Sequence, residues 1–145
     1  MIYHYLLTRF NLALWIEDKN GAAIDREEWL KRRMALFETF CLPSVKNQSC
    51  QNFSWILLVD ANTPAVYRER IKTYRKLCSQ IKFVGVKAEY SYQFADIFRQ
   101  VVMQDLKQKG WKDGDLCLTT YLDNDGSIAN NFMERVQSEC LSFHL

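Results

Sequence analysis

Asp123 and Asp125 stand one residue apart at the end of an apolar run, Leu116–Cys117–Leu118–Thr119–Thr120–Tyr121–Leu122, and Gly126 follows them. Two carboxylates this close repel each other unless something positive lies between them, and a divalent cation with the phosphates it carries suits that role. Asn124–Asp125–Gly126 is also a common turn string, so a plain turn is the competing reading. Two further residues lie where a strand meets a loop. Arg9 follows the apolar run Ile2–Thr8, and Asp60 closes Phe53–Ser54–Trp55–Ile56–Leu57–Leu58–Val59. An arginine at the carboxyl end of a central strand is a natural anion or nucleotide contact; a surface salt bridge is the equally open alternative.

The elements that must position these residues follow from periodicity. Ile2–Thr8 and Phe53–Asp60 are near-continuous apolar runs of the kind buried on both faces of a parallel sheet, and Ile81–Val86 and Asp115–Leu122 supply two more strands. Glu17–Ala23 reads as a loop. Asp25 with Glu28 resembles a capping box, opening an amphipathic helix that places Trp29, Leu30, Arg33, Met34, Phe37 and Phe40 on one face. Pro43 ends that helix or starts a short turn reaching about Gln48. Thr63–Pro64 reads as N-cap and first helical position of a helix with Tyr67, Ile71, Tyr74 and Cys78 inward and a solvated basic face outward. A long helix over about Tyr92–Lys109 stops at Gly110. Beyond Gly126, Ile128, Phe132, Val136 and Cys140 repeat every four residues, which suits a helix and argues against a returning hairpin.

Strand and helix thus alternate four times along a chain whose 145 residues suffice for a single domain, 1–145. Such alternation predicts an α/β fold, Rossmann-like, with a mostly parallel sheet and helices on both faces. Ligands of such sheets gather beyond the carboxyl ends of the strands, where Arg9, Asp60, Asp123 and Asp125 all lie.

Composition narrows the function further. A net charge of +2 with scattered Lys and Arg gives no support to nucleic-acid binding. Five cysteines without metal-ligand spacing argue against a disulfide framework and a zinc site, and most are expected in the core. The start lacks a signal-peptide pattern and no run is long and apolar enough for a membrane span, so a cytoplasmic protein is expected. His4 reads as a packed core residue. The chain has no GxGxxG after its first strand, no P-loop, no EF-hand register (its glycine would fall at Ile128) and no glycine-flanked serine elbow. A receiver-like phosphotransfer domain ranks low, since no downstream lysine sits on a strand of its own.

A resemblance then adds to these readings. Leu42–Pro43–Ser44–Val45–Lys46–Asn47–Gln48, the strand ending in Asp60, and Leu122–Asp123–Asn124–Asp125 resemble the nucleotide-sugar-binding half of GT-A-fold glycosyltransferases with their DxD motif. More narrowly, HYLLTRFNL, EWLKRRMALFETFCLPSVKNQ, SWILLVDANTP and YLDNDGSI resemble the bacterial family of putative rhamnosyltransferases, over nearly the whole chain. The resemblance implies a Mn²⁺ or Mg²⁺ ion on Asp125, with Asp123 contacting ribose or the metal through water, Asp60 holding base or ribose, and Thr8 and Arg9 lining the nucleotide pocket. It implies a nucleotide-sugar donor and a glycan or other hydroxyl acceptor as partners. Two positions depart from the family pattern: Gly126 replaces the last acid of D-x-D-D, and Tyr121 stands where an arginine is usual.

The catalytic base of such enzymes follows the DxD at a distance, and only about 20 residues follow Asp125 here. The expectation is a donor-binding half without the acceptor half, in which no general base can be named. A non-catalytic donor-binding or protein-interaction module of the same fold is the alternative, and its open sheet edge suggests a possible homo-oligomer.

Overall fold

A computed structural model describes residues 1–12 and 26–144. Four strands, β1 (Ile2–Arg9), β2 (Ser54–Asp60), β3 (Ile81–Val86) and β4 (Leu116–Tyr121), form one sheet in the order β3-β2-β1-β4. Every pairing is parallel, with Tyr5 opposite Ser54 on one side and Thr119 on the other. The α/β, Rossmann-like expectation holds. Because the connection after β1 runs to one side and β4 returns on the other, the order reverses between β1 and β4. In sheets of this kind such a reversal is where ligands bind, beyond the carboxyl ends of the two strands.

Alternation along β1 feeds two cores. His4, Leu6, Thr8 and Phe10 face one side, and Tyr5 the other, all of them buried. The first core gathers Leu6, Phe10, Trp55 and Leu57 under α1 (Arg26–Leu36), α2 (Leu42–Lys46), α3 (Ala65–Lys72) and α4 (Tyr74–Leu77). Phe37 is its hub, with ring centroids 4.9 Å from Phe10, 5.0 Å from Tyr74 and 5.5 Å from Trp55. The second core places Tyr5, Ile56 and Leu58 against Phe98 and Val102 of α5 (Phe94–Gln108). The last helix, α6 (Phe132–His144), returns to the first side through Met133 and Phe132.

Several sequence expectations shift in detail. The turn Phe37–Cys41 between α1 and α2 is π-helical, with the Leu42 N–H bonded to the Phe37 carbonyl. Pro43 has no N–H to offer the preceding turn and its ring crowds that turn, so the helix widens there and continues through the proline. The extra residue per turn rotates Phe40, expected on the inner face, out to 52% exposure and brings Cys41 inward. Thr63 does not cap α3: its hydroxyl donates to the Asp60 carbonyl and accepts from Asn11, leaving Pro64 as the cap. A 3₁₀ segment, Ala88–Gln93, precedes α5. Residues 127–131 are not helical, so α6 starts later than its four-residue repeat suggests. The apolar run of β4 lies at the sheet edge, and Cys117, Thr119 and Tyr121 are exposed along it. The loop expected over Glu17–Ala23 and the cap at Asp25 lie outside the described residues.

His4 is a core residue, as expected. It accepts from Gln137 Nε2 at Nδ1 (3.2 Å), so its proton sits on Nε2, 2.9 Å from Thr120 Oγ1. Of the cysteines, all free, Cys41 and Cys78 are buried, Cys50 and Cys140 half-buried and Cys117 exposed. Among the described residues no helix is long and apolar enough to cross a membrane.

Candidate functional site

β4 hands its last sheet bond to the next residue, as the Leu122 N–H reaches the Leu7 carbonyl at 2.9 Å. The chain then turns, with the Gly126 N–H bonded to the Asp123 carbonyl at 3.0 Å. Asn124 is the pin of this turn. Its side chain is buried, its amide donates to the Phe10 carbonyl just past β1, and its Oδ1 accepts from Arg33 Nη1 at 3.2 Å. With the middle residue locked inward, the flanking Asp123 and Asp125 are left exposed just past the carboxyl end of β4. The turn reading and the cation reading are therefore not rivals, since a turn is what presents the two carboxylates.

Gly126 fits tightly here: a Cβ on it would lie 3.0 Å from Leu122 Cδ1 and 3.4 Å from the Asp123 carbonyl oxygen. An acidic side chain at this position would have to push Leu122 aside. The segment after the turn is held by α2 and the residues following it. Ser44 Oγ accepts from the Ile128 N–H, while Gln48 donates to the Ala129 carbonyl and accepts from the Met133 N–H. Ser44 and Gln48 thus replace the missing helical bonds of residues 127–131.

The end of β1 supplies the other wall. Arg9 lies with its guanidinium carbon 4.0 Å from the centroid of Phe94 on α5, and its Nε donates to the Tyr121 hydroxyl at 3.2 Å. Its Nη1 is buried and has no hydrogen-bond partner among the described residues. A guanidinium donor shut away from water and unpaired is costly, and an acceptor arriving at these strand ends would relieve that cost. Thr8, one residue earlier, points the opposite way: it is fully buried and its hydroxyl accepts from the Trp55 indole at 2.9 Å.

Asp60 is joined to this wall by Asn11, whose Oδ1 accepts from the Asp60 N–H and whose amide donates to Thr63. The Asp60 carboxylate caps its own turn by accepting from the Asn62 N–H at 2.8 Å. Asn11 and Asn124 therefore tie the carboxyl ends of β1, β2 and β4 into one frame. The sequence showed Asn124 only as part of a turn string and gave no sign of Asn11; an asparagine two or three residues past a strand gives no signal of such a role until its partner strand is known.

Arg33 was likewise read only as part of a helix face. It reaches from α1 to Asp125, with Nη1 2.8 Å from Oδ2, and its guanidinium carbon sits 5.5 Å from the Trp29 ring centroid.

Asp123 and Asp125 could hold a cation, and the donor set is hard. Cys41 lies close enough for its thiol to donate to the Asp123 carbonyl, but burial, then the negative charges of Asp125 and Asp123, push it up to about 12, so it offers no thiolate. Two carboxylates with no soft neighbour suit Mg²⁺ or Mn²⁺, which keep waters and take remaining oxygens from phosphates. Among the described residues no group of three or more His, Cys, Asp or Glu could close a cage around a metal. An ion here would depend on its ligand's oxygens.

Two clefts at the amino ends of the strands, of about 420 and 180 Å³, offer less. The carboxylate beside them is already engaged: Asp105 accepts from the Tyr5 hydroxyl and binds Lys109 at 2.8 Å, with Lys82 at 3.9 Å. Burial works against the charged carboxylate, yet those partners outweigh it and hold Asp105 below the usual range.

Comparison with known families decides the wider question. The family model described as "Putative rhamnosyl transferase" matches residues 6–144. The chain belongs to the putative rhamnosyltransferase family. Membership makes it a relative of glycosyltransferases, and the match spans β1 through α6, including the whole frame around Asp123 and Asp125. No curated protein matches the chain.

Proposed function

We propose that this rhamnosyltransferase-family chain binds a nucleotide-sugar donor beyond the carboxyl ends of β1 and β4, for transfer of the sugar to a hydroxyl acceptor. The observation that carries the reading is the Asn124 pin, which ties the Asp123/Asp125 turn to the end of β1 and leaves both carboxylates facing outward. Asp125, with Asp123 beside it or acting through water, would hold Mn²⁺ or Mg²⁺, which when bound neutralises the diphosphate and helps it depart.

The other residues orient and pair. The Nη1 of Arg9, unpartnered among the described residues, offers a charge-assisted hydrogen bond to a ligand oxygen, and Phe94 and Tyr121 keep that guanidinium from turning away. Asp60, braced by Asn11 and its own Asx turn, presents a carboxylate suited to ribose hydroxyls. Thr8 contributes from behind, by fixing Trp55 beneath the strand ends.

Calorimetric titration with nucleoside diphosphates, with and without Mn²⁺, tests the reading. Binding should require the cation, and Asp125→Ala should weaken it by about tenfold or more, since even outer partners of a metal are worth that much. Binding indifferent to Mn²⁺, or unchanged in Asp125→Ala, would overturn it.

A second reading is favoured by the open, uncharged edge of β4, whose Cys117, Thr119 and Tyr121 are exposed. On this reading the chain is a non-catalytic interaction module whose edge pairs with another strand, such as that of a second copy. A stable dimer without nucleotide affinity would select it.

A further inference from the structure

Arg33 is paired with one of the two carboxylates a cation would use. Its Nη1 is bonded at once to Asp125 Oδ2 (2.8 Å) and to Asn124 Oδ1 (3.2 Å), at the turn that presents both aspartates. The pair is half-exposed, with side-chain exposures of 30% for Arg33 and 43% for Asp125, so it is a weak, exchangeable contact and not a sealed one. Trp29, four residues earlier on α1, lies under the guanidinium and is anchored to the first core. Pulled from Asp125, Arg33 still has an aromatic face to rest on and stays beside the turn.

We propose that Arg33 is a built-in counter-ion for Asp125 that makes cation and diphosphate bind cooperatively. This inference rests on the Asp125 metal reading. Without a ligand, Arg33 neutralises Asp125 and repels a second positive charge, so the bare ion is held weakly. With a nucleoside diphosphate present, the released guanidinium gains phosphate oxygens, which its planar fork fits better than a single carboxylate oxygen. The same residue thus opposes the metal alone and favours the metal with diphosphate. By linkage, each ligand then raises the affinity of the other. Arg33 acts here as a positioning residue.

The test uses the whole chain and measures Mn²⁺ affinity by calorimetry, alone and with saturating UDP or dTDP. Arg33→Met should bind bare Mn²⁺ about two- to fivefold more tightly, the range expected for removing one exposed opposing charge. In the same variant, the diphosphate should enhance Mn²⁺ affinity less than it does in the native chain. Structural damage would weaken both measurements, whereas the proposal requires opposite signs. Arg33→Lys, which keeps the charge and loses the fork, should bind bare Mn²⁺ much as the native chain does yet show reduced coupling; it serves as the test if the methionine variant does not fold. Release of the guanidinium should also change tryptophan fluorescence on adding Mn²⁺ and diphosphate, and Trp29→Phe should abolish that change.

Bare Mn²⁺ binding that is unchanged or weaker in a folded Arg33→Met, while Asp125→Ala still weakens binding in the native background, overturns the role of Arg33 alone. Mn²⁺ binding undiminished by Asp125→Ala overturns the site beneath it.

Discussion

At the scale of single residues, the buried polar groups carry most of the specificity. His4 bridges β1 to β4 through Thr120 and to α6 through Gln137, and burial lowers it to about 4 from 6.5. Between those values the unfolded chain binds a proton that the folded chain refuses. Stability is therefore full above pH 6.5 and falls as the pH drops toward 4. Between pH 6.5 and 5 the loss should be roughly 2 kcal/mol, at about 1.4 kcal/mol per pKa unit. Urea midpoints measured across that window should decline in the native chain and stay nearly level in His4→Gln. The two asparagines, Asn11 and Asn124, work differently. They carry no charge, so they can be buried at the strand ends and satisfy backbone groups that water cannot reach.

At the scale of elements, helix ends and irregular turns set where side chains point. α5 closes with the Trp111 N–H on the Leu106 carbonyl and the Gly110 N–H on that of Lys107, and Gly110 takes a φ of +81° between them. That cap directs the chain back toward β4 and was legible from the glycine alone. Nothing lies within 4 Å of a Cβ built on Gly110, so Gly110→Ala should cost only the conformational penalty, roughly 1–2 kcal/mol, read as a lower denaturation midpoint with the cap's geometry kept. The π-helical turn before Pro43 is the opposite case. A proline inside an amphipathic pattern predicts a stop or a kink, and whether the helix absorbs it by widening depends on what packs against both halves. Here Met34, Phe37, Cys41 and Val45 are all buried on one continuous stripe, and that shared burial holds the helix together through the defect.

At the scale of the whole molecule, one face of the sheet carries the larger core, and Phe37 binds its layers together. Truncating it with Phe37→Ala removes contacts to Phe10, Trp55 and Tyr74 at once and should cost about 3–5 kcal/mol, visible as a large fall in the urea midpoint or loss of cooperative unfolding. The same core supports α1 at the site, so the variant should also loosen the Arg33 contact to Asp125. The parallel sheet places Arg9, Asp60, Asp123 and Asp125 at one end for a topological reason: every strand runs the same way, so every carboxyl end faces the same side.

Four apolar runs separated by helical periods were enough to establish the α/β class, the parallel sheet and the end at which a ligand would bind, because local period and connection length leave few alternatives. The acidic pair and Arg9 were visible too, since their residue types at strand ends are unusual. Tertiary structure alone decided that β4 is an edge, that Thr8 faces the core while Arg9 faces α5, and that Arg33 meets Asp125 from a helix 92 residues away in the chain. Those facts depend on strand order, pleat and helix rotation. Such quantities are fixed when distant apolar faces pack, and no window of neighbouring residues contains them.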